Sequence, residues 1–194
     1  MSFRLEAART ALVLIDLQQG ILALPLIPHA AAEVLGNAEA LGRACHETGA
    51  LIVAVNVAFS AGQADRLVVP VDQPSPTPAG GWPAGWSDLA PGIAALAPDV
   101  HVTKRQWGAF HGTELDLQLR RRGITTIVLG GIATNFGVES TAREAWQHNY
   151  AVVVAEDACS SPGPDLHQFA IARILPRIAR VRSSAEIIAA LRPA

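Results

Sequence analysis

Three polar features of the sequence follow predicted buried strands and are suited to act together on a substrate. Asp16 comes directly after the apolar residues 12–15, and Lys104 follows an apolar run that ends at Thr103. The segment 130–135 follows a further strand and opens a helix. Because ligands bind at the carboxyl ends of the strands in a parallel α/β sheet, the spacing predicts that these features share one edge of the sheet.

Each of these features has a chemical use. A carboxylate at the end of an apolar strand loses solvation, which raises its pKa towards general acid or base work. A nearby ammonium group opposes that shift and orients the carboxylate, while N–H groups at a helix start stabilise an oxyanion or bind a substrate carboxylate. The spacing leaves a second interpretation open, in which Asp16 caps a turn or forms a purely structural ion pair with Lys104.

Lys104 is the single lysine of the chain, among fifteen Lys and Arg residues. A chain that otherwise uses Arg is expected to keep Lys where a compact ammonium group is needed. Chance is the alternative, and composition does not separate the two.

The apolar pattern predicts a three-layer α/β/α Rossmann-like fold with a six-stranded, mostly parallel sheet. The predicted strands are 11–16, 51–57, 100–103, 125–130, 151–156 and 178–182. Helical periodicity falls between them, at 31–48, 113–122, 136–149, 164–175 and 184–191. With 194 residues the chain is expected to form one domain, 1–194.

The segment 58–98 interrupts this pattern because it is rich in Pro and Gly, and we predict a long loop there without regular elements. Trp82 and Trp86 lie within it. Their rings either cover a ligand or pack against other protein residues, and packing is favoured. We expect a homo-oligomer, a dimer or higher, in which this segment packs against a second subunit.

Composition excludes several classes of function. The net charge is −2 and half of the residues are hydrophobic, so neither nucleic-acid binding nor global disorder is expected. Two cysteines form no disulfide framework, and we find neither a signal peptide nor a membrane-spanning run. We therefore expect a soluble, cytoplasmic protein that binds a small molecule and has no membrane partner.

Three ordered motifs resemble those of the isochorismatase-like hydrolases, and in detail their YecD-like subgroup. They are ALVLIDLQ at 11–18, KRQWGAFHGTEL at 104–115 and GIATNFGVESTAR at 131–143, with EDA at 156–158 in addition. The resemblance covers nearly the whole chain. The family includes nicotinamidases, N-carbamoylsarcosine amidohydrolases and true isochorismatases.

The resemblance implies a catalytic site that lacks its usual nucleophile. The amidohydrolases use an Asp, Lys, Cys triad, and Asp16 and Lys104 match its first two positions, whereas Gly137 occupies the Cys position. Without a side chain, Gly137 cannot form a thioacyl intermediate. We expect Cys159 to be a core residue, and Ser140 and Thr141 to be helix or packing residues.

True isochorismatases also have Gly at this position, and they cleave a vinyl ether by protonation from the Asp. The resemblance therefore implies that Asp16 is the acid and that Lys104 orients it. It further implies a cis peptide bond at Ile132–Ala133 and a hole formed by the N–H groups of Ala133 and Gly137. Thr134, Phe110 and Trp107 are the other predicted substrate-binding residues, although Phe110 and Trp107 are nearly as well explained as plain core aromatics.

No cofactor or metal is predicted. Nicotinamidases carry Asp and His metal ligands shortly after the second strand, and the corresponding segment 56–62 contains neither. The six histidines also lack the i, i+2 or i, i+4 spacing of a local ligand pair.

Three functional hypotheses remain. The leading one is a cysteine-independent hydrolase of a small carboxylated molecule, with vinyl-ether cleavage favoured over amide cleavage. The second is a catalytically silent family member that binds a metabolite or acts through assembly. The third is an amidohydrolase in which Ser140 or Cys159 replaces the lost thiol.

Overall fold

The computed structural model describes residues 3–74, 77–78 and 80–192, and its centre is a six-stranded parallel sheet. The strand order is β3-β2-β1-β4-β5-β6, and all neighbouring strands pair in parallel. The predicted fold class is thereby confirmed. The strands are β1 (Thr10–Ile15), β2 (Leu51–Val57), β3 (Val100–Lys104), β4 (Thr126–Ile132), β5 (Ala151–Ser160) and β6 (Arg180–Arg182).

Helices connect the strands and cover the sheet. They are α1 (Gln19–Leu22), α2 (Ala31–Thr48), α3 (Pro91–Ala95), α4 (Leu115–Arg121), α5 (Glu139–Gln147), α6 (Pro164–Phe169) and α7 (Ser184–Leu191). Thr134–Val138 and Ala170–Ile174 are π-helical turns joined to α5 and α6, and Ala7–Arg9, Ala61–Gln63 and Leu175–Arg177 are 3-10 turns. Among the described helices, none has the length and apolar character needed to cross a membrane.

The alternation of side chains along β1 explains the three layers. Residues at odd and even positions of a strand face opposite sides of the sheet. Ala11, Val13 and Ile15 accordingly join the core under α4 and α5, whereas Leu12 and Leu14 join the core under α2 and α7. β1 is buried on both faces, which is why its sequence is a continuous apolar run.

Element boundaries differ from the sequence prediction where hydrogen bonding extends an element beyond its apolar run. Lys104 is the last residue of β3 instead of following it, and β4 and β5 continue to Ile132 and Ser160. The sequence predicts that the segment 58–98 lacks regular elements, and this prediction is wrong. It contains α3, which Pro91 starts at a position where the missing N–H costs nothing.

The two tryptophans of this segment pack within the chain. The rings of Trp82 and Trp86 are stacked with 4.2 Å between their centroids. A Cβ atom on Gly20 would lie 1.9 Å from the Trp86 ring, so only glycine fits beneath that ring. This contact fastens the segment to α1, directly after the Asp16 region. The expected homo-oligomer stays a prediction.

Candidate active site

Asp16 follows β1 at the place where the strand order reverses, between β1 and β4. Crevices of this kind bind ligands in open α/β sheets. The Asp16 N–H donates to the Val55 carbonyl, with 2.8 Å between N and O. The backbone φ of Asp16 is +52°, a left-handed conformation that Asp adopts more readily than most residues. The residue is 5 % exposed, so its carboxylate is almost entirely removed from water.

Lys104 reaches the same point from the far side of β2. Its Nζ atom donates to Asp16 Oδ2 at 2.7 Å and to the Gln106 carbonyl at 3.0 Å. Because β2 lies between β1 and β3, two strand spacings, about 10 Å, separate the backbones that are bridged. The long stem of Lys104 spans this gap, and its side chain is 2 % exposed. The predicted meeting of Asp16 and Lys104 is therefore present in the structure.

The environment of Asp16 makes its carboxylate easier to protonate than a carboxylate in water. Burial raises the pKa of Asp16 to about 6, although the charge and hydrogen bond of Lys104 oppose the rise. Its second oxygen, Oδ1, is buried and has no hydrogen-bond partner among the described residues. Buried polar atoms are usually paired, so an unpaired carboxylate oxygen marks a place where a proton or a ligand donor fits.

Gly137 borders the Asp16–Lys104 pair. A Cβ atom on Gly137 would lie 3.2 Å from Asp16 Oδ2 and 3.5 Å from the Trp107 carbonyl oxygen. It would also lie 2.9 Å from the Cγ2 methyl of Ile15, which is closer than real Cβ contacts. A side chain at position 137 would therefore enter the site, but only if a buried methyl group of β1 moved.

The segment after β4 has the backbone that the resemblance implied. The Ile132–Ala133 peptide bond is cis, as the motif implied, and Ala133 is half-buried ahead of the π-helical turn Thr134–Val138. The buried hydroxyl of Thr134 lies 2.8 Å from His167 Nδ1. The Thr134 side chain thus bonds to α6, and its contact with a substrate stays a prediction.

Comparison with known proteins identifies the family. The sequence model of the isochorismatase domain matches residues 10–186. The chain is 50 % identical over 187 residues to the isochorismatase family protein YecD of Escherichia coli O157:H7, which covers 96 % of this chain and 98 % of that protein. The chain belongs to the isochorismatase family.

Two further relatives agree with this assignment. The structure of an isochorismatase family protein from Burkholderia thailandensis has a TM-score of 0.91 at 44 % identity, covering 98 % of this chain and 99 % of that one. The ureidoacrylate amidohydrolase RutB of Pseudomonas savastanoi pv. phaseolicola is 30 % identical over 196 residues, or 85 % of this chain and 76 % of that protein. The isochorismatase family is thus a family of hydrolases, as the motifs predicted.

The aromatic side chains of this isochorismatase-family chain divide into a core residue and a pair at the site. Phe110 is 6 % exposed and stacks on His148, with 5.2 Å between ring centroids. These contacts favour core packing, the alternative left open by the sequence, and its place in the pocket wall stays a prediction. Trp107 is 57 % exposed and contacts Phe136 at a centroid distance of 4.6 Å. Because the Trp107 backbone borders Gly137, this pair lies at the rim of the site.

Cys159, one of the two replacement nucleophiles considered above, and Thr141 of α5 have structural contacts. Cys159 is fully buried within the core, and burial raises the pKa of its thiol. The Thr141 hydroxyl donates to the Gly137 carbonyl at 2.7 Å and accepts from the Ala109 N–H at 3.2 Å. These contacts agree with the predicted roles of both residues in packing.

Sequence reasoning missed Gln18, which attaches the long loop beside Asp16. Its side-chain oxygen accepts from the Val57 N–H at 2.8 Å, and its Nε2 donates to the carbonyls of Val57 and Trp86. Gln18 is fully buried. Its place two residues after Asp16, in a strand-to-helix turn, was the available signal.

A second polar cluster was also missed. His29, Glu156 and His167 lie close together near the carboxyl end of β5, with ligand atoms within 4.8 Å of one another. Their sequence separations are 127 and 11 residues, so no local ligand pair could reveal them. The spacing of residues along the sequence therefore did not indicate that these three side chains could bind a metal ion together.

Two surface depressions lie far from the Asp16–Lys104 pair. One, of about 290 Å³, is lined by residues that precede strands, including Ala50, Asp99 and Ile124. The other, of about 410 Å³, lies between the N-terminal segment and the end of α7. Both are at the amino ends of the strands, the edge opposite to ligand sites of this fold, and neither is lined by a predicted site residue.

Proposed function

We propose that this protein hydrolyses a small carboxylated metabolite without a cysteine nucleophile. The observation that carries the proposal is the buried Asp16 carboxyl group, which has Lys104 on one oxygen and no partner for the second oxygen within the described part of the chain. A pKa of about 6 allows Asp16 to hold a proton and to donate it near neutral pH. Lys104 orients the group and stabilises the carboxylate after the proton has left.

Vinyl-ether cleavage fits these residues best. Asp16 donates its proton to the terminal carbon of the vinyl group, and an oxocarbenium ion forms at the carbon that bears the ether oxygen. Water adds to that carbon and returns a proton to Asp16. The resulting hemiketal breaks at the ether bond and releases an alcohol and a 2-oxo acid, so that the enzyme is regenerated without a covalent intermediate.

The segment after β4 supplies the proposed binding groups. We assign the N–H groups of Ala133 and Gly137 to the substrate carboxylate or a developing oxyanion, since they follow the strand next to β1. Trp107 and Phe136 would cover an apolar part of the substrate, because their rings stand in contact at the rim. No step of this reaction needs a metal ion.

Amide hydrolysis is the weaker assignment, although the relative RutB is named an amidohydrolase. Position 137 has no thiol, and the space for one is partly filled by Ile15. The other functional alternative is a silent protein that only binds a metabolite. The buried ion pair disfavours it, since a binding module has no need to hold a proton donor in the crevice.

The test is turnover of the purified protein with isochorismate and with a panel of amides that includes nicotinamide. We expect hydrolysis of the vinyl ether and a loss of about 100-fold to 10,000-fold in kcat for Asp16→Asn, the range that general acids contribute. Asp165→Asn, at an exposed position of α6, is the matched control and should keep full activity. Undiminished turnover in Asp16→Asn would remove Asp16 from the mechanism, whereas amide hydrolysis alone would replace the proposed reaction.

The pH profile gives a second test of the role of Asp16. Its pKa is raised, so the protonated, active form predominates below about pH 6 and declines above it. For an acid catalyst, kcat/KM is level at low pH and falls about tenfold for each pH unit above the pKa. A rise in kcat/KM through this pH range would instead identify Asp16 as a base.

A further inference from the structure

The polar cluster near β5 directs three side chains at one point. His29 Nε2 lies 2.9 Å from Glu156 Oε1, and His167 Nε2 lies 3.1 Å from the same oxygen. His29 precedes α2, Glu156 belongs to β5 and His167 lies on α6. Three elements that are distant in sequence thus present two imidazole nitrogens and a carboxylate oxygen to one another.

The opposite nitrogen of each imidazole is held by another side chain. His29 Nδ1 lies 2.7 Å from Glu33 Oε1, and His167 Nδ1 lies 2.8 Å from the Thr134 hydroxyl oxygen. Metal-binding histidines have this arrangement, because a carboxylate or another acceptor on the second nitrogen fixes the ring and its tautomer. Both rings of the cluster therefore present Nε2 inward and have Nδ1 anchored.

Hydrogen bonds alone require a charged His29 ring in this set of atoms, whereas a bound cation does not. If both Nε2 atoms donate to Glu156, His29 must carry two protons, because its Nδ1 also faces a carboxylate. If both Nε2 atoms instead coordinate a cation, each ring is neutral, and its Nδ1–H donates to Glu33 or to Thr134. Every polar atom named here then has a partner.

We propose that His29, Glu156 and His167 bind one zinc ion. Two imidazoles and a carboxylate suit Zn²⁺ better than Mg²⁺ or Ca²⁺, which prefer oxygen ligands. Bond lengths of about 2.0–2.1 Å in a tetrahedral site place ligand atoms about 3.3 Å apart. The two Nε2–Oε1 separations, 2.9 and 3.1 Å, need to lengthen by only a few tenths of an ångström, and the two Nε2 atoms lie within 4.8 Å of each other. Three protein ligands leave the fourth position to water.

Burial in the cluster is graded in a way that allows an ion to enter. The His167 side chain is 1 % exposed, whereas those of His29 and Glu156 are 19 % and 33 % exposed. The zinc ion would be reached from solvent on the side of His29 and Glu156. On its inner side it would fasten the π-helical turn that begins at Thr134, one residue after Ala133, and would take no part in the proposed hydrolysis.

Zinc binding to the full-length chain tests this proposal directly. The protein is prepared without a polyhistidine tag, freed of metal with a chelator and titrated against zinc in competition with a chromophoric chelator. We expect one zinc ion per chain, and with cobalt the visible absorption of a four-coordinate site. Zinc should also raise the thermal midpoint of unfolding, because an ion that binds only the folded state stabilises it.

Variants distinguish this cluster from other zinc-binding groups. His29→Gln and Glu156→Gln should each weaken zinc binding by more than about 100-fold, since they remove a ligand, and Glu33→Gln by about 10-fold to 100-fold, since it removes only an anchor. The matched control is His111→Gln, at an exposed position of the chain, which should leave the affinity unchanged.

Three outcomes would overturn the proposal: no stoichiometric binding with zinc in excess, binding that survives both ligand substitutions, or cobalt spectra of an octahedral aqua ion. Because His29 is partly exposed, its substitution is expected to leave the fold intact, and circular dichroism verifies this. A failure here would leave the hydrolysis unaffected, since that reaction does not use the cluster.

Discussion

The Asp16–Lys104 pair and the cluster of His29, Glu156 and His167 are two polar regions built by opposite means. In the first, two charges are almost completely buried and one carboxylate oxygen has no partner among residues 3–74, 77–78 and 80–192. In the second, each side chain has several partners, and two of the three are partly exposed. The first region therefore depends strongly on each member, whereas the second tolerates the loss of an outer contact.

The largest expected effect on stability comes from Lys104→Met. Removing one partner of a buried pair costs about 3–5 kcal/mol, because the remaining charge is left uncompensated. The free energy of unfolding should fall by this full amount at about pH 8 and by less at about pH 5. The pKa of Asp16 is raised in the folded state, so its carboxylate is charged, and lacks its partner, only as the pH rises through that pKa. Chemical denaturation at the two pH values measures it.

Two variants complete this comparison. Asp16→Asn combined with Lys104→Met should recover much of the loss at high pH, since no unpaired charge is then buried. Glu33→Gln, at an exposed position of the second region, should cost less than about 0.5 kcal/mol. Equal destabilisation by Lys104→Met at both pH values would contradict the role assigned to the Asp16 charge.

An intermediate effect is expected for Gly137→Ala, which probes the packing beside Asp16. Its Cβ would lie 2.9 Å from Ile15 Cγ2, a buried methyl that cannot turn away, so the free energy of unfolding should fall by about 1–3 kcal/mol. Gly36→Ala in α2 is the control, because its Cβ meets nothing within 4 Å. That change should stabilise the protein by about 0.5–1 kcal/mol. If Gly137→Ala and Gly36→Ala both raised the free energy of unfolding, position 137 would not be tightly packed.

The smallest effect is expected from thiol reagents. Cys159 lies between the two regions, on the same strand as Glu156 and paired with Gly131 of β4. Both Cys45 and Cys159 are buried, and burial raises the pKa of each thiol, so modification of the native protein should be slow and activity unchanged. Reaction in denaturant verifies that the thiols are free. Rapid inactivation together with labelling of Cys159 would reopen a covalent mechanism.

Much of the first region could be predicted from sequence because its residues follow strands. Asp16 and Lys104 stand at the ends of apolar runs, and the carboxyl ends of parallel strands necessarily share one edge of the sheet. The position of Gly137 beside Asp16 was predicted from the family motif at 131–143. The predicted substrate contacts of Phe110 and Thr134 also came from the motif, which does not state which way a side chain turns.

The second region could not be predicted in this way. His29 and Glu156 are 127 residues apart, and they meet only because the loop before α2 lies against the end of β5. Loop positions of this kind depend on long-range packing, for which no periodicity in the sequence gives a signal.

The sequence by itself therefore determined the layers of the fold, the edge of the sheet at which Asp16 and Lys104 meet, the family and the glycine at position 137. These properties follow from local periodicity and from residue types at fixed positions in a motif. Only the tertiary structure decided that Lys104 crosses β2 to reach Asp16, that Ile15 fills the space beside Gly137, and that two histidines converge on Glu156. Such contacts depend on distances between elements, which packing sets and which spacing along the chain does not encode.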